Sequence, residues 1–181
     1  MINDLFKEAI TELKSAVKQN DHPFRYCSVA SCDSAENLRQ RTMILRDITD
    51  NEHLLFYTDS RSIKIKHFKV NTHVSVLFYD PKNNLQLVIK GKMKVYKNNE
   101  DYHYHKSNIE GKAVNNYNTR LAPGKKLNNP FNISRTTELH FALLELETQS
   151  IEFLKIRKDP NHLRALFTRK EKDWEKTFLV P

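Results

Sequence analysis

Cations gather at the ends of short apolar stretches in the first half of the chain. Arg41 and Arg46 bracket Thr42-Met43-Ile44-Leu45, and Arg61, Ser62 and Lys64 follow in Ser60-Arg61-Ser62-Ile63-Lys64, just after Tyr57-Thr58. Guanidinium and ammonium groups beside hydroxyls, at a strand-to-helix junction, suit a phosphate monoester. The cations make charge-assisted hydrogen bonds, and the hydroxyls and first free N–H groups of a helix add donors. A serine-capped helix with solvated basic residues has the same composition, so the cluster alone leaves both readings open.

Gln86 is a second unusual residue, a polar amide inside Leu85-Gln86-Leu87-Val88-Ile89. It either faces solvent from a half-buried strand or contacts a ring bearing both donors and acceptors, such as an isoalloxazine. Other chemistries find less support. Three glycines are too few for a Gly-rich phosphate loop, so any phosphate must be held by side chains. His103 and His105 would share a face of a strand but point apart on a helix, and no cluster of Cys, Asp or Glu completes a metal set around them. No Gly-x-Ser-x-Gly motif marks a nucleophile. Cys27 and Cys32 are too few for a disulfide framework and lack Cys-x-x-Cys spacing, so both are expected to remain thiols.

These residues need a scaffold of strands. The opening segment is a helix, with Ile2, Leu5, Phe6, Ala9, Ile10, Leu13, Ala16 and Val17 on one stripe, Asn3 or Asp4 as cap and a stop at Asn20-Asp21. Strands are predicted over 24–30, 41–46, 54–58, 73–79, 85–96, 141–147, 151–156 and 163–168, with a bulge or bend at Gly91. Helices are expected over 62–70 and 100–109, and a loop over 115–129 around Pro123-Gly124. Many strands with few crossover helices give a mainly β (α+β) fold, an antiparallel barrel with helical additions in a single domain spanning 1–181.

The 181 residues are 39% hydrophobic, enough for one core, and no apolar run approaches the roughly 20 residues that cross a bilayer. The N-terminus lacks the apolar core of a signal peptide, so a cytoplasmic protein without membrane contact is expected. The formal charge of +8 fits phosphate-bearing partners and equally a solvated basic surface. A barrel stacking nucleic-acid bases on Phe56, Tyr57, Phe78 and Tyr79 is a rival reading. These aromatics are better read as core and cofactor wall, so no nucleic acid is expected.

Arg41-Thr42-Met43-Ile44-Leu45-Arg46, Leu55-Phe56-Tyr57-Thr58-Asp59-Ser60-Arg61-Ser62-Ile63-Lys64, Asn71 to Tyr79 and Leu85 to Gly91 stand in that order. The series resembles the flavin-binding half of the pyridoxamine 5'-phosphate oxidase family, over about residues 24–97. The resemblance implies a split β-barrel homodimer with FMN at the subunit interface. It implies cofactor contacts from Arg41, Thr42, Met43, Ile44, Arg46, Tyr57, Thr58, Ser62, Lys64 and Gln86. Arg46 stands where the family has lysine. Ile63 stands where it has the arginine of a Ser-Arg-Lys phosphate motif, and Arg61 is the candidate replacement. For the small-molecule substrate, Tyr104 matches the family's tyrosine and Arg120 is a further candidate. The family's substrate arginine and serine have no counterpart, with Asn108 and Lys112 nearest, and its C-terminal Arg-x-His-Asp-Arg stretch is missing. The resemblance therefore implies an FMN-dependent oxidoreductase acting on a small amine or related substrate. An NAD(P)H-dependent flavin reductase and a non-enzymatic flavin binder are the alternatives.

Overall fold

The structure, a computed structural model, describes residues 1–158, 161–171 and 173–181. Helix α1 spans Ile2–Lys18 and buries Leu5, Ala9, Leu13 and Ala16, the predicted stripe. Its cap differs from expectation. Met1 is the N-cap, no side chain caps the helix, and Asp4 pairs with the terminal ammonium at 2.9 Å.

The strands are β1 (Tyr26–Cys32), β2 (Leu38–Ile48), β3 (Leu54–Asp59), β4 (His73–Asp80), β5 (Leu85–Tyr96), β6 (Phe141–Lys155), β7 (Leu163–Lys170) and β8 (Asp173–Phe178). Two further helices are α2 (Ile63–Val70) and α3 (Glu100–Ser107). The sheet order is β3-β2-β1-β4-β5-β6-β7-β8, all pairs antiparallel, and β3 also pairs with β6. That last pairing closes six strands into a barrel, while β7 and β8 extend beyond it. Inward residues such as Val29, Leu45, Phe56, Val76, Phe78, Leu87, Ile89 and Leu144 fill the interior. Ile65 and Phe68 of α2 join that core, as does the stripe of α1. On β8, Trp174 is held under Phe6, with ring centroids 5.3 Å apart. No helix among the described residues is long and apolar enough to cross a membrane.

Two expectations about the strands are corrected. Residues 141–147 and 151–156 form one strand, β6, rather than two. The polar Thr148-Gln149-Ser150 between them reads as a break but is a bulge. Lys90 pairs with Ser150 and Gly91 with Thr148, leaving Gln149 as the extra residue. At this point β6 leaves β3, whose last partner is Leu146, and takes up β7, whose pairing starts at Ser150. Gly91 is required here because a Cβ would lie 2.1 Å from the Glu147 carbonyl oxygen. The second correction is β8, which the charged ending Asp173 to Lys176 conceals. It is an edge strand, and only Trp174 on it is buried.

A smaller core covers the outside of β3 and β6. Leu55, Tyr102, Ile109, Tyr117, Phe141 and Leu143 form it, bringing α3 and the segment after it against the barrel wall. The predicted loop over 115–129 is largely irregular, although its first two residues end a short 3-10 turn over Gly111–Asn116.

Candidate functional site

The cations of β2 and α2 meet in one groove. Its wider end, about 660 Å³, is lined by Arg39, Gln40, Arg41, Thr42, Ser62, Lys64 and His67, with the apolar Leu38 and Ile63 at the rim. A narrower end of about 250 Å³ continues from Thr42 and Lys64 to Met43, Ile44, Arg46, Tyr57, Asn116 and Tyr117. Eight of the candidate cofactor residues, Arg41, Thr42, Met43, Ile44, Arg46, Tyr57, Ser62 and Lys64, thus line one surface, built by β2, β3 and the start of α2.

Strand alternation explains how. Met43 and Leu45 point into the barrel, so Arg41 does too, at the open mouth beside α2. There its Nη1 donates to Ser31 Oγ at 2.8 Å and to the Val29 carbonyl at 3.2 Å, and its guanidinium stands 5.8 Å from the centre of the Phe68 ring. Lys64, in the first turn of α2, donates from Nζ to Ser62 Oγ at 2.9 Å and Thr58 Oγ1 at 3.1 Å. Ser62 is the N-cap residue, yet its hydroxyl makes no capping bond. The serine-capped reading is therefore not what is built, because that hydroxyl serves the lysine.

Charge in the wider end is unbalanced. No carboxylate lines it among the described residues, and Arg41 and Lys64 rest on neutral oxygens. Burial lowers the Lys64 pKa, and the nearby Arg41 lowers it further; burial and then Arg39 do the same to Arg41. Arg39 is itself paired to Asp33, at 2.8 Å. Cations withdrawn from water normally have a carboxylate partner, and both of these are half-buried. A pair held by neutral oxygens and repelling each other leaves a positive potential that favours an anion.

Arg61 is placed elsewhere. Its guanidinium pairs with the buried Asp59 at 2.7 Å and reaches the Thr119 carbonyl at 2.8 Å and the Arg120 carbonyl at 3.2 Å. It neutralises Asp59 and ties down the segment after Tyr117, and it does not line the groove. Arg46 is the extra residue of a bulge, since Leu45 pairs with Phe56 and Asp47 with Leu55. The bulge turns its side chain over the Tyr57 ring, 5.2 Å from the centroid. The Tyr57 hydroxyl meets His105 Nδ1 at 2.8 Å. Burial pushes the Tyr57 phenol up to about 12. Burial also raises Tyr117, against the opposing effect of Arg46.

The remaining candidates are not brought to the groove. Gln86 faces outward on β5, paired with Tyr79 and Leu154. The row Thr42–Ser28–Leu77–Val88 sets β5 three strands from β2, roughly 14 Å. Tyr104 is 64% exposed on α3. Arg120 lines a separate cavity of about 580 Å³ within the segment from Asn115 to Arg135. His103 and His105 point apart on α3: His103 meets Asn98, and His105 is buried against Tyr57. The proposed base-stacking face is not formed, because Phe56 and Phe78 point into the core while Tyr57 and Tyr79 point out. Cys27 and Cys32 are free thiols, with burial pushing Cys27 up to about 12.

Sequence reasoning missed His67, Asn116 and Tyr117 as groove residues. His67 was within reach of it, since it follows Lys64 by three positions and so shares a helix face. Asn116 and Tyr117 arrive by a long-range fold-back that no local pattern carries.

A family model, pyridoxamine 5'-phosphate oxidase, FMN-binding domain, matches residues 6–97, just over half of the chain and the stretch that builds β1 to β5 and α2. The chain belongs to this family. A pyridoxine/pyridoxamine 5'-phosphate oxidase of Shewanella pealeana is 25% identical over 172 residues, covering 85% of this chain and 78% of that protein. Among solved structures, a pyridoxamine 5'-phosphate oxidase-related, FMN binding protein from Nostoc punctiforme superposes with a TM-score of 0.78 at 19% identity, over 97% of each chain. PhzG from Burkholderia lata, in complex with tetrahydrophenazine-1-carboxylic acid, gives 0.76 at 18% identity, covering 98% of this chain and 91% of its own. General Stress Protein 26 from Bacillus anthracis gives 0.55 at 14% identity, covering 85% and 96%. At these identities the structural matches establish the fold, the split barrel.

Proposed function

We propose that the groove binds FMN, with the phosphate at the Arg41–Lys64 end and the ring system toward Arg46, Tyr57 and Tyr117. The observation that carries this reading is the pair of half-buried cations held only by neutral oxygens, with no carboxylate lining that end among the described residues. The donor set fits a phosphate monoester: two cations, the Ser62 and Thr42 hydroxyls, and room within the range of small-molecule sites. Family membership supports the same cofactor.

Bound FMN supplies hydride acceptance and donation. The chain's own residues have other tasks. Arg41 and Lys64 balance the phosphate charge. Met43 and Ile44 provide strand surface along the cofactor. Arg46, fixed by its stacking on Tyr57, places a guanidinium at the narrow end, and the Tyr57–His105 bond fixes that ring. The function that follows is an FMN-dependent oxidoreductase oxidising a small amine or related substrate. The exposure of Tyr104 and the separate position of Arg120 favour two further outcomes, an NAD(P)H-dependent flavin reductase or a flavin binder without turnover.

A homodimer belongs to this proposal. The outer face of β1, β4 and β5 carries Tyr26, Leu77, Tyr79 and Val88, while α1 and α2 turn their apolar sides to the inner core. A second copy would cover that face and complete the groove, and it gives Gln86 a route to a flavin.

The test is the visible absorption of the purified chain, identification of any released chromophore, and then turnover. Amine-dependent peroxide production marks the oxidase, and NAD(P)H oxidation without amine marks the reductase. Flavin binding without either marks the binder. A chain that takes up no FMN overturns the proposal.

A further inference from the structure

His67 lines the same end of the groove as Arg41 and Lys64, and neither of its ring nitrogens has a hydrogen-bond partner among the described residues. Its Nδ1 is sealed from solvent and orphaned. A neutral imidazole carries one proton, and an N–H buried without an acceptor is rarer and costlier than a bare lone pair. The proton therefore belongs on Nε2, which leaves that nitrogen as a donor without a protein acceptor among the described residues. His67 follows Lys64 by three residues, so both lie on one side of α2, and Ser62 sits at the helix start beside them. Ile63, between Ser62 and Lys64, is apolar and 58% exposed, and its side chain contributes no donor. The acidic residues nearby are already engaged, Asp33 by Arg39 and Asp59 by Arg61.

We infer that His67 is a further ligand of the phosphate group in this groove, donating from Nε2 beside Arg41, Lys64 and Ser62. The inference rests on the reading of the groove as an FMN site and adds to it a residue specific to the phosphate rather than to the ring. A side chain that merely packed on α2 would be indifferent to whether the flavin carries a phosphate.

The experiment is a pair of titrations, FMN and riboflavin, followed by flavin fluorescence on the wild type and on His67→Leu and His67→Gln. Glutamine places an amide donor near the position of Nε2, and leucine places none. The expected result is FMN affinity about 10-fold or more weaker in His67→Leu, riboflavin affinity unchanged, and FMN affinity largely restored in His67→Gln. FMN affinity in His67→Leu close to that of the wild type overturns the role of His67 and leaves the site standing. Equal losses for FMN and riboflavin also overturn it, because they mark a structural effect. A wild type that binds FMN no better than riboflavin overturns the phosphate site itself and His67 with it.

Discussion

The hydroxyl of Tyr57 lies 2.8 Å from Nδ1 of His105, a bond that ties the barrel wall at β3 to helix α3 and shapes the narrow end of the groove. Burial lowers the pKa of His105 below the ordinary 6.5, since a charged imidazole is disfavoured there. The unfolded chain then binds the proton more readily than the folded one, so stability rises with pH. His105's contribution is complete above about pH 6.5 and is lost as pH falls from there through the folded value. The predicted outcome is a urea midpoint that falls between about pH 7 and about pH 5, with a smaller fall in His105→Asn, which keeps an acceptor without the titration. Identical pH profiles would remove His105 from this role.

Gly91 faces the β6 bulge with no room for a side chain. Gly91→Ala must push β5 off β6 or shift the register, and overpacking of this kind costs about 3 kcal/mol or more. Chemical denaturation should show that loss, or the variant should fail to accumulate as folded protein. A near-neutral result would mean that the bulge relaxes freely.

Arg61→Ala separates two roles for a cation beside the phosphate motif. The structure gives Arg61 to Asp59 and to the carbonyls of Thr119 and Arg120. Its loss leaves a buried carboxylate without its partner, at about 2 kcal/mol of stability. FMN affinity should change little. A large fall in FMN affinity with unchanged stability would return Arg61 to the phosphate.

The contrast between Arg61 and Lys64 also marks how far the residues alone could be read. The barrel was legible because alternation along β4 and β5 is clean, and α1 because its stripe is continuous. Lys64, Thr58 and Ser62 were legible as a group because they are local in sequence. Arg61 was not, because its partners at Thr119 and Arg120 come from a segment some 60 residues away whose path no periodicity predicts. The continuity of β6 was hidden by the same polar Thr148-Gln149-Ser150 that makes its bulge, and β8 by the charges suited to an edge.

Inorganic phosphate should protect the flavin-free chain against heat, at matched ionic strength with chloride as the control. An anion that binds only the folded state stabilises it by mass action, about 2.7 kcal/mol at 100 times its Kd. The protection should vanish in Arg41→Met, which removes a cation held by Ser31 and Val29 without opening a large cavity. Equal protection in both proteins would place the anion elsewhere on this basic surface.

The most direct measurement is a calorimetric titration of the flavin-free chain with FMN, repeated on Lys64→Met. The expected result is about one FMN per chain, an affinity about 10- to 100-fold weaker in Lys64→Met, and tighter binding of FMN than of riboflavin by the wild type alone. No heat of binding with the wild type, or equal FMN affinity in both proteins, would contradict the assignment of the Arg41–Lys64 groove to the phosphate.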